Sequence, residues 1–194
     1  LSKIHNIIKG KEVAAKSRQY FDNYSPIDDV RIGKVAVSDD RDIDKATQAA
    51  QAAFGDWRNW PHQRRKACLY AIADEIEKYK EELAVLESYD TGQAIRYTQH
   101  HVSRALGYFR YYADKSVDAA NGSSTPDVAH INYTIRQAIG PVGIITPWNT
   151  PLLLYLSTIA PALVAGPTVV HNPADLSPLS AQVFAQCAHR EGLP

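Results

Sequence analysis

A short apolar run that stops on a polar amide constrains this chain more than any other stretch. Residues 140–151 read Gly-Pro-Val-Gly-Ile-Ile-Thr-Pro-Trp-Asn-Thr-Pro. Val142, Ile144 and Ile145 supply the apolar core of a buried strand. Pro147 ends that strand because it has no N–H to give to a ladder. Trp148 and Asn149 then fall at the strand's carboxyl end, where open α/β sheets place their ligands. Thr150 and Pro151 open a helix, and proline suits the first turn.

Downstream the alternation repeats. The pattern predicts a strand over 142–145, a helix over 151–164, a strand over 168–171 and a helix over 177–191. Ser177-Pro178 has the form of a hydroxyl N-cap with proline at the first helical position. A βαβα order implies parallel pairing with a right-handed crossover. Consecutive parallel strands lie side by side, so their ends should form a small polar cleft lined by Trp148, Asn149, His171, Asn172 and Asp175. The alternative is purely structural, with Asn149 capping the next helix and Trp148 in the core.

The first half reads differently. Residues 7–13 suggest a hairpin turning on Lys9-Gly10-Lys11, and residues 20–37 an irregular strand-and-turn stretch. A helix should begin near Asp40 or Asp42, with Ile43, Ala46, Ala50, Ala53, Phe54 and Trp57 as its apolar stripe. Pro61 opens a second helix carrying Cys68, Leu69, Ile72, Ala73, Ile76 and Tyr79. A third spans about 81–89 and ends at Asp90-Thr91-Gly92. A fourth shows Val102, Leu106, Phe109 and Ala113 on one face. Residues 120–126 have the composition of a loop, and 131–136 alternate as a half-exposed strand does. The expected organisation is a hairpin and helical layer over 1–120, a strand region over 121–140, and the start of a βαβα sheet over 141–194.

Composition excludes several functions. There are 21 basic and 21 acidic residues, so nothing favours a nucleic-acid or acidic-membrane partner. The longest apolar stretch, near 152–164, is interrupted by Ser157, Thr158 and Pro161. The two cysteines, Cys68 and Cys187, sit on helical apolar stripes and form neither a CxxC nor a Cys/His metal spacing, which suits a reducing, cytoplasmic setting. His100-His101 point about 100° apart on a helix, so no paired metal site is expected. Neither GxGxxG nor a GxxxxGK[ST] phosphate loop occurs. The chain has no Met, starts without a secretory segment, and closes on Gly192-Leu193-Pro194 in the manner of a cut at a loop.

The motif at 140–149, followed by Ile-Ala-Pro-Ala-Leu-Val-Ala-Gly at 159–166, Thr-Val-Val at 168–170 and Leu-Ser-Pro-Leu at 176–179, resembles the aldehyde dehydrogenase superfamily. Weaker agreement extends over nearly the whole chain, including Asp90-Thr91-Gly92. Asn132-Tyr133-Thr134 looks most like the branch acting on hydroxymuconic-type semialdehydes. The resemblance implies an α/β fold with an amino-terminal helical layer, part of a Rossmann-like parallel sheet and an oligomerisation strand around 131–138. It implies a homo-oligomer, dimer or tetramer, acting on a small aldehyde with NAD or NADP. In that family a cysteine thiolate attacks the aldehyde, a hydride passes to the nicotinamide, and a glutamate helps hydrolyse the thioester. Asn149 matches the side chain that donates to the oxyanion. Ile145, Thr146, Pro147 and Trp148 would border the cofactor, with Asn172 and Asp175 near its ribose.

This chain departs from the family at defined places. Asn172 stands where a ribose-binding lysine is usual, Asp175 where a glutamate is usual, and Thr158 where a second lysine is usual. The nucleophilic cysteine, the base glutamate and the glycine turn would fall beyond Pro194, and neither Cys68 nor Cys187 aligns with the nucleophile. The expectation is an aldehyde dehydrogenase segment inactive by itself. The rival is a catalytically incomplete binding or assembly module of the same ancestry.

Overall fold

The computed structural model describes residues 3–115 and 123–194. Three short strands pair near the amino terminus. β1 (Lys3–Ile4) runs parallel to β5 (Arg31–Ala36), and β4 (Tyr20–Tyr24) runs antiparallel to β5, giving the order β1-β5-β4. The hairpin joins β2 (Asn6–Ile8) to β3 (Lys11–Val13). Lys11 pairs with Ile8, so the turn is Lys9-Gly10 alone rather than the expected three residues, and both have positive φ as a tight twisted hairpin requires.

Four helices come next. α1 (Asp40–Asn59) begins with a capping box in which Asp39 and Asp42 each accept from the other's backbone N–H. Ala50, Phe54 and Trp57 of its stripe are buried, whereas Ile43 and Ala46 front an open groove. α2 (His62–Glu77) starts after Pro61, and α3 (Lys80–Thr91) stops at Gly92 in the left-handed conformation. α4 (Ile95–Lys115) buries Val102, Leu106, Phe109 and Ala113.

Positions 120–122 of the expected loop lie outside the described residues. The rest of it is a strand: β6 (Ser123–Asp127) pairs antiparallel with β7 (His130–Tyr133). Pro126 is tolerated because the register shifts between Ser124 and Asp127, where a ladder donor is dispensable. β6 and β7 are exposed along their whole length, not half-exposed as the alternation implied.

The βαβα order forms as expected, but β8 alternates between half-buried and exposed residues rather than being a buried strand. β8 (Val142–Ile145) pairs parallel with β9 (Val169–Asn172), bringing Ile144 beside His171 and Ile145 beside Asn172. α5 (Pro151–Ala165) and α6 (Leu179–Arg190) complete it. One continuous core runs from Trp57 and Leu69 through Phe109 to Tyr155, Leu156 and Phe184, so the helical layer and the sheet pack as one body. The Trp57 indole donates to the Leu163 carbonyl at 3.1 Å, tying α1 to the end of α5.

Candidate functional site

The two strand ends set the geometry. The Thr146 N–H donates to the Asn172 carbonyl at 3.3 Å, extending the β8–β9 ladder by one bond before Pro147 removes the next donor. Beneath it the Thr146 hydroxyl meets His171 Nε2 at 2.9 Å, and the imidazole lies 5.1 Å from the Tyr155 ring. Burial lowers the His171 pKa to about 4, so the ring is neutral at pH 7 and serves as a fixed support for Thr146.

Beyond Thr146 the chain turns outward. Trp148 is 57% exposed and Asn149 is exposed, which overturns the structural alternative of a core tryptophan and a capping asparagine. α5 has no side-chain cap from its own flank, and the Asn149 side chain makes no hydrogen bond among the described residues. Its backbone is held instead. The Gln93 side-chain amide donates to the Asn149 carbonyl, and the Ser177 hydroxyl donates to the Trp148 carbonyl at 3.4 Å.

Ser177 is therefore not the N-cap of α6 that its sequence suggested. The Leu179 N–H goes to Asp90 Oδ2 at 3.0 Å, and Leu152 N–H at the start of α5 goes to Glu87 Oε1 at 2.7 Å. Both carboxylates come from the last turn of α3 and are nearly inaccessible, Glu87 at 2% and Asp90 at 4%. Ser180 adds a 2.8 Å hydrogen bond to Glu87 Oε1, and Asn23 a 2.8 Å bond to Asp90. Burial pushes the Glu87 pKa up to about 7, against the hydrogen bonds from Leu152 and Ser180; Asp90 rises to about 6 for the same reason. Sequence reasoning misses these two residues as site elements. Their signal is an acid on an apolar stripe, since Leu83, Ala84, Glu87 and Asp90 recur at steps of one and three and share the buried face.

Part of the expected cleft lining borders one groove. A groove of about 1020 Å³ opens beside β9 and is lined by His171, Asn172 and Asp175 with residues of the amino-terminal hairpin, α1 and α6. Trp148 and Asn149 are not among its lining residues. Ile145 is 82% exposed and, with Trp148, offers an apolar surface at the strand end. Neither cysteine offers a nucleophile: both are buried, Cys68 with its pKa raised by burial to about 11 and Cys187 also raised by burial. No group of His, Cys, Asp and Glu suited to a metal ion is found among the described residues.

Comparison with known proteins identifies the family to which this fold belongs. The model of the aldehyde dehydrogenase family matches residues 13–194, and the chain belongs to that family. It is 37% identical over 191 residues to the NADP/NAD-dependent aldehyde dehydrogenase PuuC of Escherichia coli K12, covering 96% of this chain and 38% of that protein. Among solved structures, HpcC from Thermus thermophilus superposes with a TM-score of 0.95 at 38% identity, covering 100% of this chain and 38% of its own. PnpE in complex with nicotinamide adenine dinucleotide superposes with a TM-score of 0.95 at 34% identity, covering 98% and 39%. The chain thus spans about two fifths of the length of these relatives. No described helix is long and apolar enough to cross a membrane.

Proposed function

We propose that this chain supplies the oxyanion-donating amide and part of the nicotinamide-cofactor site of an enzyme that oxidises a small aldehyde to a carboxylic acid. Asn149 carries the reading. Its backbone is held through Gln93 and its neighbours, while its side-chain amide is exposed and uncommitted among the described residues. That combination suits a donor kept in reserve for a ligand.

A cysteine thiolate adding to an aldehyde carbon leaves an alkoxide on the former carbonyl oxygen. The Asn149 side-chain amide would donate to that oxygen, and again to the oxyanion formed when water attacks the thioester. One such donor is worth about 2.7–4 kcal/mol of barrier. NAD or NADP, when bound, would accept the hydride. Ile145, Thr146, Pro147 and Trp148 would border it with an exposed apolar surface, and Asn172 and Asp175 would meet ribose hydroxyls at the mouth of the groove. An amide and a carboxylate fit hydroxyls chemically, but Asn172 and Thr158 bring no positive charge, which weakens the site. The thiolate is neither Cys68 nor Cys187, so these 194 residues alone would not turn over an aldehyde.

In this reading residues 1–120 are the helical layer of the cofactor domain, 121–140 an oligomerisation arm and 141–194 the opening of the cofactor sheet. The arm is supported by the exposure of β6 and β7 and by the exposed Val128, Ile131, Tyr133, Ile135 and Ile139, which a second copy in a dimer or tetramer would cover. The unpaired thiols of Cys68 and Cys187 fit a cytoplasmic setting. A second reading, an assembly module without turnover, is favoured by the loss of lysine at Asn172 and Thr158. Intact mass and aldehyde-dependent reduction of NAD(P) by the polypeptide isolated from its source separate the two. A longer chain with turnover supports the enzyme; a mature product ending near Pro194 without turnover sinks it.

A further inference from the structure

The most unusual feature of the described residues is that two helix N-termini are capped by buried carboxylates from one distant turn. α5 and α6 both lack a side-chain cap from their own flanking residues. A hydroxyl was available beside α5, yet Thr150 makes no such bond. The caps arrive across 65 residues, from Glu87 to Leu152, and across 89, from Asp90 to Leu179. A local Ser, Thr or Asp satisfies a helix end without burying a carboxylate. A cap brought from another helix does something a local one cannot: it fixes the helix end relative to that second element.

From this we propose that Glu87 is a positioning residue for Asn149, the last turn of α3 gripping the Asn149 loop on both sides; the proposal rests on Asn149 being the oxyanion donor. On one side Glu87 Oε1 holds Leu152, three residues past Asn149. On the other, Gln93 holds the Asn149 carbonyl itself. The grip is itself anchored. Thr91 donates to the Glu87 carbonyl at 2.6 Å, Ser88 donates to the Gln93 carbonyl at 2.6 Å, and Gly92, at φ +75°, closes the helix so that Gln93 faces the loop. Ser180 donates to the same Glu87 oxygen at 2.8 Å, so a single atom joins α3, α5 and α6. The groups facing Glu87 are the Leu152 N–H and Tyr155 from α5, Ser180 from α6 and Asp90 on its own helix. Those facing Asp90 are the Leu179 N–H from α6 and Asn23 from β4. No basic side chain among the described residues is ion-paired with either.

The test is nuclear magnetic resonance on the full polypeptide that carries these residues and on its Glu87→Ala and Glu87→Gln variants. Gln keeps an oxygen where Oε1 accepts; Ala does not. In Glu87→Ala the Leu152 amide should exchange about 10- to 100-fold faster, the loss of one hydrogen bond to an acidic group. The Asn149 backbone order parameter should fall from about 0.85 to below about 0.6, while Glu87→Gln keeps the native value. Exchange that quickens at Leu152 with Asn149 order unmoved would overturn the proposal, since Glu87 would then be only a cap. Should Glu87→Ala not fold, the unsubstituted chain decides. Its Leu152 and Asn149 amide shifts should follow one titration near pH 7 that Glu87→Gln abolishes, and a flat Asn149 profile overturns the proposal. Asn149→Ala separates this from the underlying reading. It tests the oxyanion role through turnover of the enzyme and leaves the Leu152 exchange unchanged.

Discussion

Replacing Glu87 by Gln should leave stability unchanged in acid and raise it above neutrality. The carboxyl ionises near 4.5 in an unfolded chain and at about 7 in the fold, because burial outweighs the two hydrogen bonds it accepts. Below about pH 4 both states carry the proton and the group contributes nothing. As pH rises from 4.5 towards 7 the unfolded state loses its proton first, so the folded state binds more protons and stability falls with pH. Each pH unit across that window costs roughly 1.4 kcal/mol, and above 7 the loss levels off at about 3 kcal/mol as an upper bound. The substituted glutamine retains an acceptor for Leu152 and Ser180 but cannot ionise. For a chain of this length each kcal/mol moves the melting point about 2–4 °C, so the variant should melt about 6–12 °C higher at pH 8 and level with the parent near pH 4. Thermal unfolding followed by circular dichroism at both pH values makes the comparison, and groups titrating equally in both chains cancel. A variant less stable at pH 8 than at pH 4, relative to the parent, would refute the reasoning. It would mean that charge-assisted capping outweighs the cost of burying the charge.

Three further outcomes are expected from the same structure. Trp57→Phe removes the indole bond to the Leu163 carbonyl in a fully buried site, and denaturant titration should show a loss of about 1–3 kcal/mol; no loss would mean that the α1–α5 tie is dispensable. Asn172→Lys should tighten NAD(P) binding measured by calorimetry in the polypeptide that turns over aldehyde, and an unchanged or weaker constant would remove Asn172 from the ribose site. Light scattering should show the chain as an oligomer or aggregate, given the exposed β6–β7 ribbon and the two-stranded β8–β9 sheet, whereas a well-behaved monomer would argue against the arm.

Much of this architecture is legible in the sequence because local signals agree with the fold. The acids Asp40 and Asp42 at the start of α1, the Gly92 stop, Pro151 in a first turn and the step-of-three-or-four stripe of α4 each act through bonds or contacts within a few residues. The βαβα order likewise places the end of β8 beside the end of β9, where Ile145 meets Asn172. What the sequence conceals is long-range. Ser177 has the form of an N-cap, yet Asp90, 89 residues before Leu179, takes that work and frees the Ser177 hydroxyl for Trp148. Glu87 reads as one more acid on a charged helix until the start of α5 packs against it. Converging strand ends imply one cleft; His171, Asn172 and Asp175 line the groove beside β9, and no periodicity reports which residues of the turn after Pro147 face it.

The central claim is that the Asn149 amide donates to an oxyanion. Its most direct measurement is kcat for aldehyde oxidation in the polypeptide that performs it, compared between the parent and Asn149→Ala. The account predicts a fall of about 10²–10³-fold, with cofactor binding retained. Turnover unchanged within a few-fold would contradict it and return Asn149 to the status of an exposed loop residue.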